Sequence, residues 1–209
     1  MGLSQELTTF REQFLGSQPE EIVATMARTG TELATSGVVE NALKAGDRLP
    51  ACQLPNATGK TVDVRALLAQ GPVVLAFYRG EWCPYCNLEL RALQQALPEI
   101  QALGATLVAI SPQTPDASLS TAEKNELAFE VLSDVGNQFA RTCGLVFTLA
   151  KELHPIYAGF GINVPAHNGD DTFELPLPAT YIVAQDGTIA QAFVDADYTL
   201  RMEPAEIIA

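Results

Sequence analysis

Basic side chains are scarce: 12 Lys and Arg stand against 25 Asp and Glu, leaving a net charge of −13 on 209 residues. So acidic a chain repels phosphate backbones and anionic membranes, which argues against nucleic acid and phospholipid as partners. Long apolar runs are missing as well. The longest, residues 72–78 and 107–110, fall far short of the ~18–20 residues of a membrane span. Glu6, Arg11 and Glu12 stand where a signal peptide would carry its apolar core, and Glu6 occupies the position a myristoylation signal reserves for Ser or Thr. Cysteine is also sparse, with four in the chain, too few for a disulfide scaffold. The cytoplasm is the expected location. What remains is ordinary globular material, 47% hydrophobic and 18% charged, enough for one domain of about 150 residues with an extension.

Hydrophobic spacing divides the chain. Residues 1–45 read as a helical arm: Leu7, Phe10 and Phe14 recur at helical intervals, as do Ile22, Met26 and Leu33 after a helix start around Ser17-Gln18-Pro19. The arm is expected to cover the main domain or a partner subunit. Residues 46–209 form that domain. Turn clusters at 46–50 and 56–60 flank a short strand at 51–54, with Val62 and Val64 marking its hairpin partner. Residues 72–78 have the unbroken apolar character of a central strand covered on both faces. Leu90, Leu93, Leu97 and Ile100 then make one stripe of a helix that ends at Gly104, and a second buried strand follows at 105–110. These segments form a βαβ unit with parallel, adjacent strands.

Farther on, a helix is expected at 117–127, a strand at 129–132 and a helix at 135–142. A strand at 178–183 should turn at Gln185-Asp186-Gly187 into an antiparallel partner at 188–194. A last helix starts at Pro204. The architecture is α/β, a mixed central sheet flanked by helices with an N-terminal helical extension.

The chemistry concentrates where the central strand meets the helix, in Arg79-Gly80-Glu81-Trp82-Cys83-Pro84-Tyr85-Cys86. Proline suits the first helical position, so Cys83 becomes the N-cap and Cys86 falls in the first turn. A thiolate there gains about 0.3–2 kcal/mol from the helix dipole, enough to lower its pKa and raise its nucleophilicity. The second thiol can then close a disulfide within the chain. A zinc site would need another pair of ligands. Cys52 and Cys143 stand singly beside apolar neighbours and read as core residues. His154 and His167 are too far apart to pair as ligands and are placed at the surface, with 167–171 a solvated loop. No metal and no cofactor is expected.

The strand–Trp–Cys-x-x-Cys–helix arrangement resembles the thioredoxin superfamily. The longer stretch from Phe77 to Leu90 resembles the peroxiredoxin-like branch of the alkyl hydroperoxide reductase/thiol-specific antioxidant family. The likeness continues through Ile110-Ser111-Pro112, Leu132-Ser133-Asp134 and residues 178–187. Against the family pattern Pro-x-x-x-Thr-x-x-Cys, Cys86 falls at the peroxidatic cysteine, Cys83 at the threonine, Arg79 at the proline and Glu89 at the following glutamate. Two departures stand out. A thiol replaces the threonine, and the arginine that the family places before its late strand is absent, Pro178 standing there instead. Pro178 is similar to the cis-proline that faces the dithiol in thioredoxins.

The resemblance implies a thiol-dependent peroxidase that reduces hydrogen peroxide or an organic hydroperoxide through a Cys83–Cys86 disulfide, re-reduced by thioredoxin or glutathione. The attacking sulfur stays open: helix position and the thioredoxin pattern favour Cys83, whereas peroxiredoxin register favours Cys86 passing through a sulfenic acid. Arg79 would hold a thiolate or polarise the O–O bond, and Trp82 would shield the pair. A protein disulfide oxidoreductase and a non-enzymatic redox-sensing module are the alternatives. Homodimerisation through the arm or a sheet edge is compatible with the sequence, which specifies no interface.

Overall fold

The computed structural model describes residues 2–209. The N-terminal arm comprises α1 (Leu3–Gly16), α2 (Glu20–Ala34) and the single turn α3 (Val38–Asn41). A hairpin of β1 (Gln53–Pro55) and β2 (Thr61–Asp63) runs into α4 (Val64–Leu68) and then the central strand β3 (Val73–Phe77). Next come α5 (Pro84–Ala102), β4 (Thr106–Ser111), α6 (Pro115–Lys124), β5 (Glu130–Ser133) and α7 (Gln138–Thr142). After these follow β6 (Val146–Thr148), α8 (Leu153–Gly159), α9 (Val164–Asn168) and β7 (Glu174–Pro176). The chain closes with β8 (Ala179–Val183), β9 (Ile189–Val194) and α10 (Pro204–Ile208).

The main sheet has five strands in the order β5-β4-β3-β8-β9. β3, β4 and β5 are parallel, while β8 runs antiparallel to both β3 and β9. Every residue of β3 is buried, because the alternation of a strand sends its side chains into two cores. Val73, Leu75 and Phe77 join the core beneath the β1–β2 hairpin and α7. Val74 and Ala76 meet Leu93, Leu97 and Ile100 of α5, with Ile207 of α10. The apolar stripe of α5 therefore fixes the helix across the strand that feeds it.

Val64 is a correction to the expected hairpin. It opens α4 because the Asp63 carboxylate accepts the Arg65 N–H at 2.8 Å and caps a helical turn. The segment 167–171 is also corrected: His167 and Asn168 belong to α9, and Asn168 is buried. Elements β6, β7, α8 and α9 are too short to leave a periodic signature, and they escape sequence reading for that reason. Among the described residues no helix is long and apolar enough to cross a membrane.

The arm packs on the domain. Leu3 and Leu7 of α1 are buried in a cluster with Tyr78, Cys83, Tyr85, Cys86 and Leu90, and Phe10 meets the Tyr85 ring edge-on at 5.1 Å. Ile22, Met26 and Leu33 of α2 are only half-buried.

Candidate active site

Just past the C-terminal end of the central strand β3, Tyr78 N–H still reaches Ile110 O at 2.9 Å. The next residues must reverse sharply to enter α5. Gly80 permits it: its φ is +153°, and a Cβ there would lie 2.4 Å from Nε1 of Trp82. The turn closes with Cys83 N–H donating to Gly80 O at 3.1 Å. A polar network sequence reading did not find holds it from outside. Gln113 Oε1 accepts the Glu81 N–H at 2.9 Å, and Asn87 Nδ2 donates to Glu81 O at 2.7 Å. Asn87 Oδ1 in turn accepts from Asn125 of the α6 end at 2.9 Å. Each of these amides is buried, and apart from Gln113 Nε2, which has no partner, their polar atoms are paired, which holds the turn in one geometry.

Cys83 is the N-cap of α5 with Pro84 at the first helical position, as the sequence predicts. Both thiols are free and buried, Cys83 1% exposed and Cys86 0%. Cys86 Sγ accepts from the Arg79 backbone N–H at 3.5 Å and from Arg201 Nη2 at 3.4 Å. Arg201 also binds Glu89, Nε to Oε2 at 2.6 Å, and both are buried. The chain lacks the arginine that the family places before the late strand, and a charged partner for the sulfur comes instead from the segment that follows β9. Nothing local could have flagged Arg201: it lies 115 positions from Cys86, and its burial is a tertiary event.

Arg79 sits on the opposite side. It is 2% exposed, so it is no solvated loop residue. Its guanidinium donates to Tyr157 Oη and lies over three rings, with centroids at 4.9 Å (Trp82), 5.6 Å (Tyr157) and 4.3 Å (Tyr198). Tyr157 and Tyr198 are further site residues absent from the sequence reading.

The electrostatics follow from this layout. Burial opposes ionisation of Cys83, but the hydrogen bond from Cys86 and the charges of Arg79 and Arg201 outweigh it, bringing the thiol down to about 6. Burial and the adjacent Cys83 push Cys86 the other way. The pair thus gives up one proton readily and keeps the second. Burial pushes Glu89 up to about 7 against the pull of Arg201. Cys52 and Cys143 lie in the main core, where burial pushes both thiols up, Cys143 to about 12.

Pro178 requires a correction. Among the described residues there is no cis peptide bond. The chain passes extended from β7 into β8, Leu177 N–H meeting Leu145 O at 2.8 Å, with Leu177 and Ala179 both buried. No reversal occurs there that a cis bond would serve. Trp82 is half-buried against Tyr157, ring centroids 5.7 Å apart. His154 stacks on Phe173 at 3.7 Å, and His167 pairs with Glu81 at 3.4 Å. No group of three or more His, Cys, Asp or Glu side chains among the described residues is arranged to hold a metal ion.

Comparison with known proteins finds relatives for the chain. Peroxiredoxin Q, a chloroplastic protein of Populus jackii, is 29% identical over 121 residues, 56% of either chain. Peroxiredoxin Bcp of Escherichia coli is 31% identical over 105 residues, 50% of this chain and 67% of that one. The match thus spans little more than half of the Populus protein. Among solved structures, peroxidoxin BcpB of Mycobacterium tuberculosis superposes with a TM-score of 0.62 at 21% identity, covering 79% of this chain and 94% of the other. At that identity the likeness speaks for the fold, which is thioredoxin-like. The profile of the AhpC/TSA family matches residues 45–192, from the end of the arm through most of β9, and the chain belongs to that family.

Proposed function

We propose that the chain reduces hydroperoxides through its Cys83–Cys86 dithiol, with Cys86 attacking. The observation that carries the reading is the convergence of two donors, Arg201 Nη2 and the Arg79 N–H, on Cys86 Sγ. Negative charge moves from sulfur to the departing oxygen in the transition state, and fixed donors beside that sulfur stabilise it as it develops. Cys83, the more acidic of the pair, is the thiolate and takes the Cys86 proton. Cys86 thiolate then attacks the terminal oxygen, the O–O bond breaks, and with one proton from solvent an alcohol or water leaves Cys86 as a sulfenic acid. The Cys83 sulfur displaces hydroxide from it, its own proton completing a water, and the disulfide closes. A dithiol such as thioredoxin, or glutathione, returns two electrons. A reducing compartment such as the cytoplasm suits free thiols of this kind.

Trp82 is the single tryptophan and adjoins the pair, so stopped-flow fluorescence reports oxidation. Peroxide should oxidise the reduced protein orders of magnitude faster than free cysteine. Cys83→Ser should retain that fast step and accumulate a dimedone-trappable sulfenic acid on Cys86, while Cys86→Ser should lose it. Fast oxidation that survives in Cys86→Ser alone would assign the attack to Cys83. Wild-type oxidation no faster than free cysteine would sink the peroxidase.

A second reading, a protein disulfide oxidoreductase, draws on the depressed Cys83 thiol at a helix N-terminus. Rapid exchange with a protein disulfide and indifference to peroxide would favour it.

A further inference from the structure

A cavity of about 410 Å³ lies between α2 and the segment from β6 to α8. Met26, Leu33, Leu149 and Leu153 give it an apolar lining, and Arg79 and Tyr157 close one wall. Arg79 is an unusual wall. It is buried, no carboxylate pairs with it among the described residues, and its Nε hydrogen has no partner. The ionisable groups whose charge it feels most are, in order, Tyr157, Cys83, Tyr198 and Cys86. Among the described residues, the dithiol is thus the one of these groups that carries negative charge near neutral pH. Closing the disulfide removes that anion, because the one remaining thiol proton and two electrons leave the singly ionised pair. A buried guanidinium then stands with aromatic faces but no negative charge, a costly arrangement.

We infer that the disulfide form binds a monocarboxylate with an apolar body, its carboxylate on Arg79 and its body in the α2–β6 cavity, and that the reduced form rejects it. The aromatic rings around Arg79 suit an amphipathic ligand, and the planar guanidinium suits a carboxylate. The α2 wall lies in the arm, outside the segment matched by the AhpC/TSA profile. The inference rests on the proposed function only in that the two thiols close a disulfide; peroxide need not be the oxidant.

The test uses the full chain, oxidised with diamide, which takes up the two electrons, the one thiol proton and one proton from solvent, or reduced with excess dithiothreitol that is then removed. Octanoate is the probe, octan-1-ol its uncharged counterpart and acetate its tail-less one, each titrated against Trp82 fluorescence. Octanoate should bind the oxidised chain at least tenfold more tightly than the reduced chain, and the other two should bind weakly to both. By linkage, saturating octanoate should lower the midpoint potential of the dithiol by about 30 mV for each tenfold of that ratio. Gly30 of α2 also lines the cavity, and a Cβ there meets nothing within 4 Å. Gly30→Phe should therefore fill the cavity and abolish octanoate binding, while diamide still closes the disulfide. Arg79→Gln should lose octanoate with the cavity intact. Equal affinity for both redox forms, octan-1-ol binding as tightly as octanoate, or full binding by Gly30→Phe would each overturn the inference. A chain that closes its disulfide with diamide but ignores peroxide would refute the peroxidase and leave this site standing.

Discussion

Two arginines flank the sulfurs, and they differ in how their charge is balanced. Arg201 is tied to Glu89, whereas Arg79 depends on the thiols. This predicts a pH signature for the reduced protein. With Cys83 lowered to about 6, the thiolate is present above that pH and lost below it. The rate of iodoacetamide modification should therefore fall about tenfold per unit as pH drops below 6, where an ordinary thiol would already be fading below about 8.5. Stability carries the same sign. A group whose folded pKa is depressed stabilises fully above its ordinary value of 9.0 and loses that contribution as pH falls towards about 6. Glu89, raised from 4.5 to about 7, works oppositely below 7. Between pH 7 and 9 the Cys83 contribution acts with little interference, and urea unfolding of the reduced chain against Cys83→Ser should show the gap widening as pH rises.

At the scale of elements, the junctions matter more than the elements. The arm reaches the domain through α3, whose end packs on the turn after α7. Leu43 N–H donates to Cys143 O at 3.0 Å. Gly144 follows at φ +72°, and a Cβ there would sit 2.1 Å from Asn41 O. Gly144→Ala should cost at least about 1–3 kcal/mol from backbone strain alone, with the clash added. Gly30→Ala, inside α2 and facing open space, should instead stabilise by about 0.5–1 kcal/mol, since only helix propensity changes. Denaturant midpoints of the two variants check both signs. Reading the sequence locates the helices on either side of Gly144 but not this contact, because periodicity says which face is apolar and not which neighbour will cover it.

Over the whole molecule, the two chain ends meet above the family core. The Glu203 carboxylate accepts from Leu3 N–H at 3.2 Å and Ser4 N–H at 2.6 Å, joining the start of α1 to the entry of α10. Just before it, Arg201 enters the site, and its Nη1 also donates to Leu200 O at 2.7 Å and to Tyr198 O. The residue that joins α1 to α10 and the arginine that completes the site thus stand two positions apart. Arg201→Met would leave Glu89 buried without its partner, and the loss should be about 3–5 kcal/mol of stability. Arg201→Met combined with Glu89→Leu should recover much of that stability but not the peroxide reactivity. A double-mutant cycle followed by urea unfolding and by Trp82 fluorescence separates the two effects.

The dithiol, its helix and its strand were determined by sequence alone, because each rests on a local signal: an unbroken apolar run, a proline at the first helical position, a stripe of leucines. The mixed sheet followed from the alternation of such signals. Tertiary structure alone decided which charges surround the sulfurs. Arg79 has the composition of a loop residue and is buried only because Trp82, Tyr157 and Tyr198 converge on it from three separate segments. Arg201 comes from beyond the last strand, and Pro178 stays trans because β7 feeds straight into β8. A buried ion has no period and no neighbour in sequence to announce it; its partners are chosen by the packing that excludes water around them.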